Sequence, residues 1–184
     1  MTPSELLQSI QIIELKDLGE LKWFLGIKIH RDRTLRKLWL SQESYIDKIA
    51  ARFSHFIDGP CHTRHPKQPL SADKLVARTD DASEKEIKLY QRLIGSLLYV
   101  AIITRPDVAF ATSRLSQHLR NPSPDHINRA FDLLAFLRST KDLSIVFGGE
   151  ETAITVMSDA SFADNPDLKS SQGFMIKVFG GATS

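Results

Sequence analysis

Apolar side chains recur along this chain with two spacings, and the two spacings predict different elements. Near the start, apolar positions three and four residues apart predict a short helix with Thr2 as N-cap and Pro3 in its first turn. The stretch KWFLGIKIH predicts a strand, in which Gly26 marks a bulge or a close backbone approach. The charged stretch RDRTLRK predicts a loop, LWL predicts a second strand, and Ser41 opens a predicted helix that runs to Phe56.

Three amphipathic helices are predicted in the middle of the chain. Ser83 and Glu86 form a capping box at the start of the first, and Ser123 caps the third. Pro106 and Pro124 occupy the first position of the second and third. We expect Gly95, inside the first helix, to allow a neighbouring helix to pack closely. The predicted inward positions are Ile87, Tyr90, Ile94, Leu97, Leu98 and Ala101, then Val108, Thr112, Leu115 and Leu119, then Ile127, Ala130, Phe131, Leu134 and Leu137. Short turns between such helices are typical of a small bundle.

Strand-like alternation returns near the C-terminus. LSIVF, AITVMSDAS and GFMIKVFGG predict strands of one sheet, with a Gly-Gly pair turning the chain after the first. Two or three strands without a helix of their own make a marginal sheet, so we expect residues 143–184 to be the opening of a larger domain. Residues 59–82, rich in Pro, Gly and Asp, predict a linker. The remaining segments are then 1–58 and 83–142.

Composition excludes two classes of protein. The 184 residues are 42% hydrophobic and 25% charged, as in ordinary globular chains, and no apolar run reaches the ~18 residues of a membrane span. The start of the chain has no basic region followed by an apolar core, so we expect no secretory signal. Cys61 is a single cysteine, which excludes an internal disulfide and is typical of a reducing compartment. A cytoplasmic or nuclear location follows as an expectation.

Positive charge is concentrated in one short stretch of the chain, which the net charge of +2 does not show. Six basic or titratable residues lie within ten positions, against the single acid Asp32; they are Lys28, His30, Arg31, Arg33, Arg36 and Lys37. Such a block attracts phosphate backbones, or it is the solvated face of a hairpin. Trp23, Phe24 and Trp39 beside it either stack on nucleotides or pack the hairpin on a core.

Residues near the predicted linker include side chains that could bind zinc. His55, Cys61, His62 and His65 are four potential ligands, but structural zinc sites usually pair their ligands across a stiff turn. Here two candidates are adjacent and a third is followed directly by Pro66. Ordinary linker residues are the favoured interpretation.

Four stretches resemble, in the same order, one family of polyproteins. They are LKDLGELKWFLGIKI, LWLSQESYIDKIAARF, YQRLIGSLLYVAIITRPDVAFATSRLSQHL and SDASFADNPDLKSSQGFMIKVFGG. The first three are similar to the reverse transcriptase region of copia-type LTR retrotransposons, and the last is similar to the start of their ribonuclease H domain. The resemblance runs from about Leu15 to the last residue.

The resemblance implies a fold and a partner. It implies an α+β chain with a basic β-hairpin that resembles the primer grip, a three-helix thumb-like bundle, and the first strands of an incomplete ribonuclease H-like sheet. The expected partners are an RNA–DNA hybrid or primed template, held weakly, and the remaining parts of the polyprotein. The candidate nucleic-acid-binding residues are Trp23, Phe24, Gly26, Lys28, His30, Arg31, Arg33, Arg36 and Lys37.

The resemblance also implies metal chemistry. Both parent activities hold Mg²⁺ on clusters of carboxylates. Asp159 matches the first catalytic aspartate of ribonuclease H and would be a Mg²⁺ ligand in a complete domain. The paired aspartates of a polymerase turn do not occur, since Asp80 and Asp81 follow Arg78 and Thr79 in the predicted linker. We therefore expect no tightly held Mg²⁺ and no catalysis by this chain alone; an interaction or self-associating module, or a decayed copy without activity, is the alternative.

Overall fold

The computed structural model describes residues 19–57, 75–149, 153–162 and 170–183, and within them the chain forms helices and two antiparallel sheets. The predicted helix near Thr2 lies outside these residues. The helices are α1 (Glu43–Arg52), α2 (Ser54–Ile57), α3 (Glu84–Ile103), α4 (Ala109–Ser116, after a 3-10 turn at Pro106–Val108) and α5 (Pro124–Ser139). The strands are β1 (Trp23–Phe24), β2 (Ile27–Asp32), β3 (Lys37–Ser41), β4 (Ile145–Phe147), β5 (Ile154–Ser161), β6 (Ser171–Val178) and β7 (Gly181–Thr183).

The first sheet contains β1, β2, β3 and β4 in that order. Leu25 and Gly26 connect β1 to β2 as a two-residue turn, with φ angles of 48° and 80°. A turn with both central residues in the left-handed region matches the right-handed twist of a hairpin, and glycine adopts that region without strain. The prediction of one strand with a bulge at Gly26 was therefore wrong: the chain reverses there.

The second hairpin of this sheet has longer strands than the charged sequence predicts. β2 continues to Asp32 and β3 begins at Lys37, so only residues 33–36 form the connection. The backbone N–H of Leu35 donates to Asp32 Oδ1 at 2.8 Å inside this turn. The loop predicted over RDRTLRK was too long, because charged side chains also occupy the solvated positions of antiparallel strands.

β4 completes the first sheet by pairing with β3. Leu38 lies opposite Phe147 and Leu40 lies opposite Ile145, so these four apolar side chains share one face, where each is partly buried. The sequence pattern placed LSIVF in the C-terminal sheet, and that assignment was wrong. Alternation identifies a strand, but the choice of a partner about 100 residues away depends on long-range packing.

The helices share one apolar core. α1 contributes Ile46 and Ile49 to it, and Phe53, which follows α1, also lies in it. The Tyr90 hydroxyl of α3 donates to the Leu115 carbonyl at 2.8 Å. The other buried apolar residues of the core are Ala50, Ile57, Leu75, Leu93, Ile94, Leu97, Val100, Ala101, Val108, Ala111, Ala130, Phe131, Leu133, Leu134, Ala135, Phe136 and Leu137. Most of the predicted inward positions are therefore buried.

Three helical details differ from the prediction. Leu98 is 40% exposed, whereas Leu93, which was not predicted, is fully buried. A Cβ on Gly95 would contact nothing, so no helix packs closely there. α1 begins at Glu43 rather than Ser41, because buried Gln42 is the N-cap residue and its Oε1 accepts a hydrogen bond from Thr104 Oγ1 at 2.8 Å.

Both predicted serine caps are confirmed. Ser83 and Glu86 form the capping box of α3. At the start of α5, the backbone N–H of His126 donates to Ser123 Oγ, and the N–H of Ser123 donates to His126 Nδ1 at 3.0 Å. The His126 imidazole is buried and stacks on that of His118, with ring centroids 3.8 Å apart. Histidine thus takes the place of the usual Glu or Gln in a capping box.

A buried arginine joins the 3-10 turn to the end of α5. Arg105 is 2% exposed, and its guanidinium donates two hydrogen bonds to Asp107, at 2.9 and 2.7 Å. The same group donates to the carbonyl oxygen of Thr140 at 2.9 Å. A buried cation with a bidentate carboxylate and a carbonyl partner retains the hydrogen bonds it would make in water.

The last part of the predicted linker packs on the helices. Leu75 is buried, and Arg78 donates to the carbonyl oxygen of Pro122 at 3.0 Å. The N–H of Ala82 donates to Asn121 Oδ1 at 2.8 Å. Residues 75–82 therefore hold the turn between α4 and α5, which a simple surface linker would not do.

The second sheet contains β5, β6 and β7, of which β7 was not predicted. Ile154, Val156 and Phe174 lie on one face of it and are 63, 64 and 68% exposed. The sheet meets the first through the Gly148 N–H, which donates to the carbonyl oxygen of Phe179 at 2.6 Å. None of the described helices combines the length and the hydropathy needed to cross a bilayer.

Candidate nucleic-acid interface

Strand alternation divides the basic block between two faces of the first sheet. Trp23 lies opposite Lys28, and His30 lies opposite Trp39, so these four side chains share one face. Arg31 lies on the other face, which is otherwise largely apolar. The positions that cluster in the sequence are therefore divided between two faces of the sheet.

A groove of about 660 Å³ lies over the face that carries the two tryptophans, and we call it the aromatic groove. Trp23 is 51% exposed, and the rings of His30 and Trp39 lie 5.1 Å apart at 39°. In the part of the chain that the structure describes, its charged lining comprises three cations and three acids, namely Lys22, Lys28, Arg31, Glu20, Glu43 and Asp142. Because these charges balance, the groove offers aromatic faces without a net attraction for phosphate.

A second groove, of about 950 Å³, lies between the β2–β3 turn and the chain that follows β4, and we call it the basic groove. Among the described residues, its lining includes four cations and a single acid, namely Arg31, Arg33, Arg36, Lys37 and Asp32. Gly148, Gly149 and Phe179 form the opposite wall. Its charge is therefore strongly positive, in contrast to the aromatic groove.

The predicted site residues divide between these grooves, and two lie in neither lining. Phe24 is on the face opposite Trp23, and Gly26 belongs to the turn that follows. Trp23 and Phe24 are 51 and 54% exposed, and Trp39 is partly buried, so stacking on nucleotides and packing of the hairpin both stay predictions. The wall formed by Gly148, Gly149 and Phe179 was not predicted from the sequence, because a Gly-Gly pair predicts only a turn.

One hydrogen bond ties the first hairpin to the helices. The Tyr99 hydroxyl of α3 donates to the Leu25 carbonyl at 2.6 Å, and the Tyr99 ring meets that of Tyr45 edge-on with centroids 5.0 Å apart. Leu25 lies in the turn between β1 and β2, so its carbonyl oxygen is not used in the strand pairing of this hairpin and can accept the bond from Tyr99. This contact fixes the end of the aromatic groove relative to α1 and α3.

Asp159 lies within β5, opposite Gly173, and the strand continues for two residues beyond it. Its side chain is exposed. Among the described residues there is no group of three or more His, Cys, Asp or Glu side chains that could hold a metal ion. Asp164 and Asp167, which follow Asp159 in the sequence, lie outside the described residues. The described carboxylates thus do not provide the several oxygen ligands that Mg²⁺ requires.

The other carboxylate and zinc candidates have structural surroundings. Asp80 accepts a hydrogen bond from Arg78 at 2.9 Å, and this bond lowers the pKa of the aspartate, so the residue serves the packing of the 75–82 segment. His55 is an exposed residue of α2, whereas Cys61, His62 and His65 lie outside the described residues. Because three of the four candidate ligands lie outside the described residues, the zinc site stays a hypothesis.

Comparison with known proteins gives relatives over most of the chain. This chain is 36% identical over 173 residues to the retrovirus-related Pol polyprotein from transposon TNT 1-94 of Nicotiana tabacum. The match covers 93% of this chain and 13% of that protein. It is 32% identical to a transposon Ty5-1 protein of Saccharomyces cerevisiae, covering 94% of this chain and 54% of that protein.

The retrovirus-related Pol polyprotein from transposon RE1 of Arabidopsis thaliana is 33% identical over 168 residues, which are 90% of this chain and 11% of that protein. The chain thus spans about half of the yeast relative's length and a much smaller part of the two plant polyproteins. No family model matches the chain, and no solved structure matches it.

Proposed function

Because this chain is homologous to a segment of retrotransposon Pol polyproteins, we propose that it is the template- and primer-handling part of a copia-type reverse transcriptase, followed by the start of a ribonuclease H domain. In this proposal the first sheet binds an RNA–DNA hybrid or primed template. The helical core supports the sheet, and the chemistry belongs to other parts of the polyprotein.

The observation that carries the proposal is the aromatic groove. A half-exposed Trp23 side chain loses the benefit of burial, which is a cost unless another surface covers the indole. Trp39 and His30 extend the same face, and the cation of Lys28 lies beside it. Aromatic faces next to cations are typical of surfaces on which nucleic-acid bases stack.

The ribonuclease H part of the proposal rests on β5, β6 and β7. They are three consecutive antiparallel strands, and Asp159 lies in the first of them. The described residues provide no second carboxylate group for Mg²⁺ there, and no catalytic step is assigned to this chain. Hydrolysis of an RNA strand would need further acidic ligands beyond those described.

The experiment is a filter-binding titration of a primed template with the chain and two single variants. Trp23→Ala removes a stacking face, and stacking contributes about 1–3 kcal/mol per base, so we expect affinity to fall about 5- to 150-fold. The matched control is Phe110→Ala, which removes an equally exposed aromatic side chain from α4, away from the groove. Equal affinities of the two variants, or no binding by the unmodified chain, would contradict the proposal.

A further inference from the structure

We propose that the basic groove is a second contact for nucleic acid, which holds the phosphate backbone and supplies the salt dependence of binding, while the aromatic groove supplies stacking. This inference rests on the proposed function and divides it between two sites. It assigns to Arg33, Arg36 and Lys37 a role that differs from that of Trp23 and Lys28 on the sheet face.

The first support is the difference in charge between the grooves. Counted over the described residues, the aromatic groove has equal numbers of cationic and acidic side chains, whereas the basic groove has four cations against Asp32. A polyanion gains affinity by releasing counterions where cations outnumber acids, and balanced charges give little of this gain. The phosphates are therefore expected at the basic groove.

The second support is that these cations are available. Within the described part of the chain, none of Arg31, Arg33, Arg36 and Lys37 takes part in a salt bridge, although ion pairs occur on the helices. Arg33 and Arg36 are also exposed, so a phosphate that approaches them does not displace an internal partner. Four unpaired cations beside one another repel, and a bound polyanion relieves that repulsion.

The third support is the way the groove is built. A Cβ on Gly148 would overlap the carbonyl oxygen of Arg36, and a Cβ on Gly149 would lie 2.7 Å from Lys37 Cε. The two glycines thus allow the chain after β4 to contact the basic turn directly. The Gly148 N–H then joins this wall to Phe179 of the second sheet.

The two grooves are connected at the edge of β2. β1 pairs with β2 only at Ile27 and Lys28, and the Ile29 N–H donates to the carbonyl oxygen of Lys22, so no described residue pairs with this edge from His30 onward. Arg31 lies on this open edge and lines both grooves. A strand whose bases stack in the aromatic groove can therefore continue with its backbone past Arg31 into the basic groove.

The test is the dependence of affinity on salt, measured by filter binding to a primed template with a duplex of about 20 base pairs. The double variant Arg33→Gln/Arg36→Gln removes two phosphate contacts, so the slope of log affinity against log salt should become less steep by about 2. Trp23→Ala should lower affinity at every salt concentration and leave the slope unchanged. Lys48→Gln, at an exposed position of α1, is the control for loss of a surface cation.

A second variant tests the arrangement with all charges kept. Gly148→Ala displaces the basic turn from its wall, and a shallower slope, in a chain that still unfolds cooperatively, is the expected result. If Trp23→Ala weakens binding while the arginine double variant keeps the original slope, the basic groove is not a phosphate site and the proposed function stands. If the unmodified chain does not bind at all, both proposals are wrong.

Discussion

At the scale of single residues, His126 takes part in a helix cap that depends on the charge of its ring. Its Nδ1 accepts the Ser123 N–H at the start of α5, and only the neutral ring has a free lone pair there. Burial, and then the neighbouring His118, lower the pKa of His126; burial, and then Arg114, lower the pKa of His118. Both rings are therefore held neutral in the folded chain.

These lowered pKa values predict a loss of stability in weak acid. The unfolded chain binds protons near the ordinary histidine pKa of 6.5, whereas the folded chain binds them only at lower pH. The free energy of unfolding should be full above about pH 6.5 and should fall as the pH drops towards the folded-state pKa values.

His126→Gln separates this effect from the cap itself. A glutamine oxygen can still accept the Ser123 N–H, so the variant should retain the helix start and lose the part of the decline in stability below about pH 6.5 that His126 contributes. Urea unfolding at several pH values measures the free energy of unfolding. His30→Gln, at an exposed position of β2, is the matched control. A decline of equal size in the unmodified chain and in the His126 variant would contradict this account.

At the scale of elements, replacement of two glycines by alanine is predicted to change the stability of the chain in opposite directions. Gly95 lies inside α3 with open space where a Cβ would be, so Gly95→Ala should stabilise the chain by about 1 kcal/mol through helix propensity. Gly148 has a φ of 98° and its Cβ would overlap the Arg36 carbonyl oxygen, so Gly148→Ala should destabilise it by about 2 kcal/mol or more. Urea midpoints measure both changes, and a shift in the same direction for the two variants would be incompatible with these surroundings.

Elements were predictable from the sequence where local chemistry determines them. Ser83 and Ser123 start α3 and α5 as predicted, because a cap depends on a few neighbouring residues. The pairing of β4 with β3 and the absence of a neighbour at Gly95 were not predictable, since both depend on how distant segments pack. The turn at Gly26 was locally encoded but was interpreted as a bulge, because alternation continues on both sides of it.

The candidate site was predictable in composition but not in arrangement. The basic and aromatic residues were identified from the sequence, yet their division into two grooves depends on strand register and on two hairpin turns. Phe179 could not be associated with Arg36 from the sequence, because nearly 150 positions separate them. The roles of these residues, and that of Asp159, stay predictions.

At the scale of the whole molecule, self-association is a second hypothesis for function. Ile154 and Val156 lie largely exposed on β5, an edge strand, and Phe174 lies on the same face. Uncovered apolar faces beside open edges favour pairing with another chain. Sedimentation should then show a concentration-dependent dimer that Val156→Lys disrupts and the surface variant Lys48→Gln does not. A monomer at all concentrations would exclude this hypothesis.

Both tryptophans of the chain, Trp23 and Trp39, lie in the first sheet and on the same face of it. Indole emission from the unlabelled chain therefore originates in that sheet alone, while far-ultraviolet circular dichroism is dominated by the helices. The two optical signals follow different units of one molecule, so the coincidence or separation of their melting curves reports how tightly the sheet is coupled to the helical core.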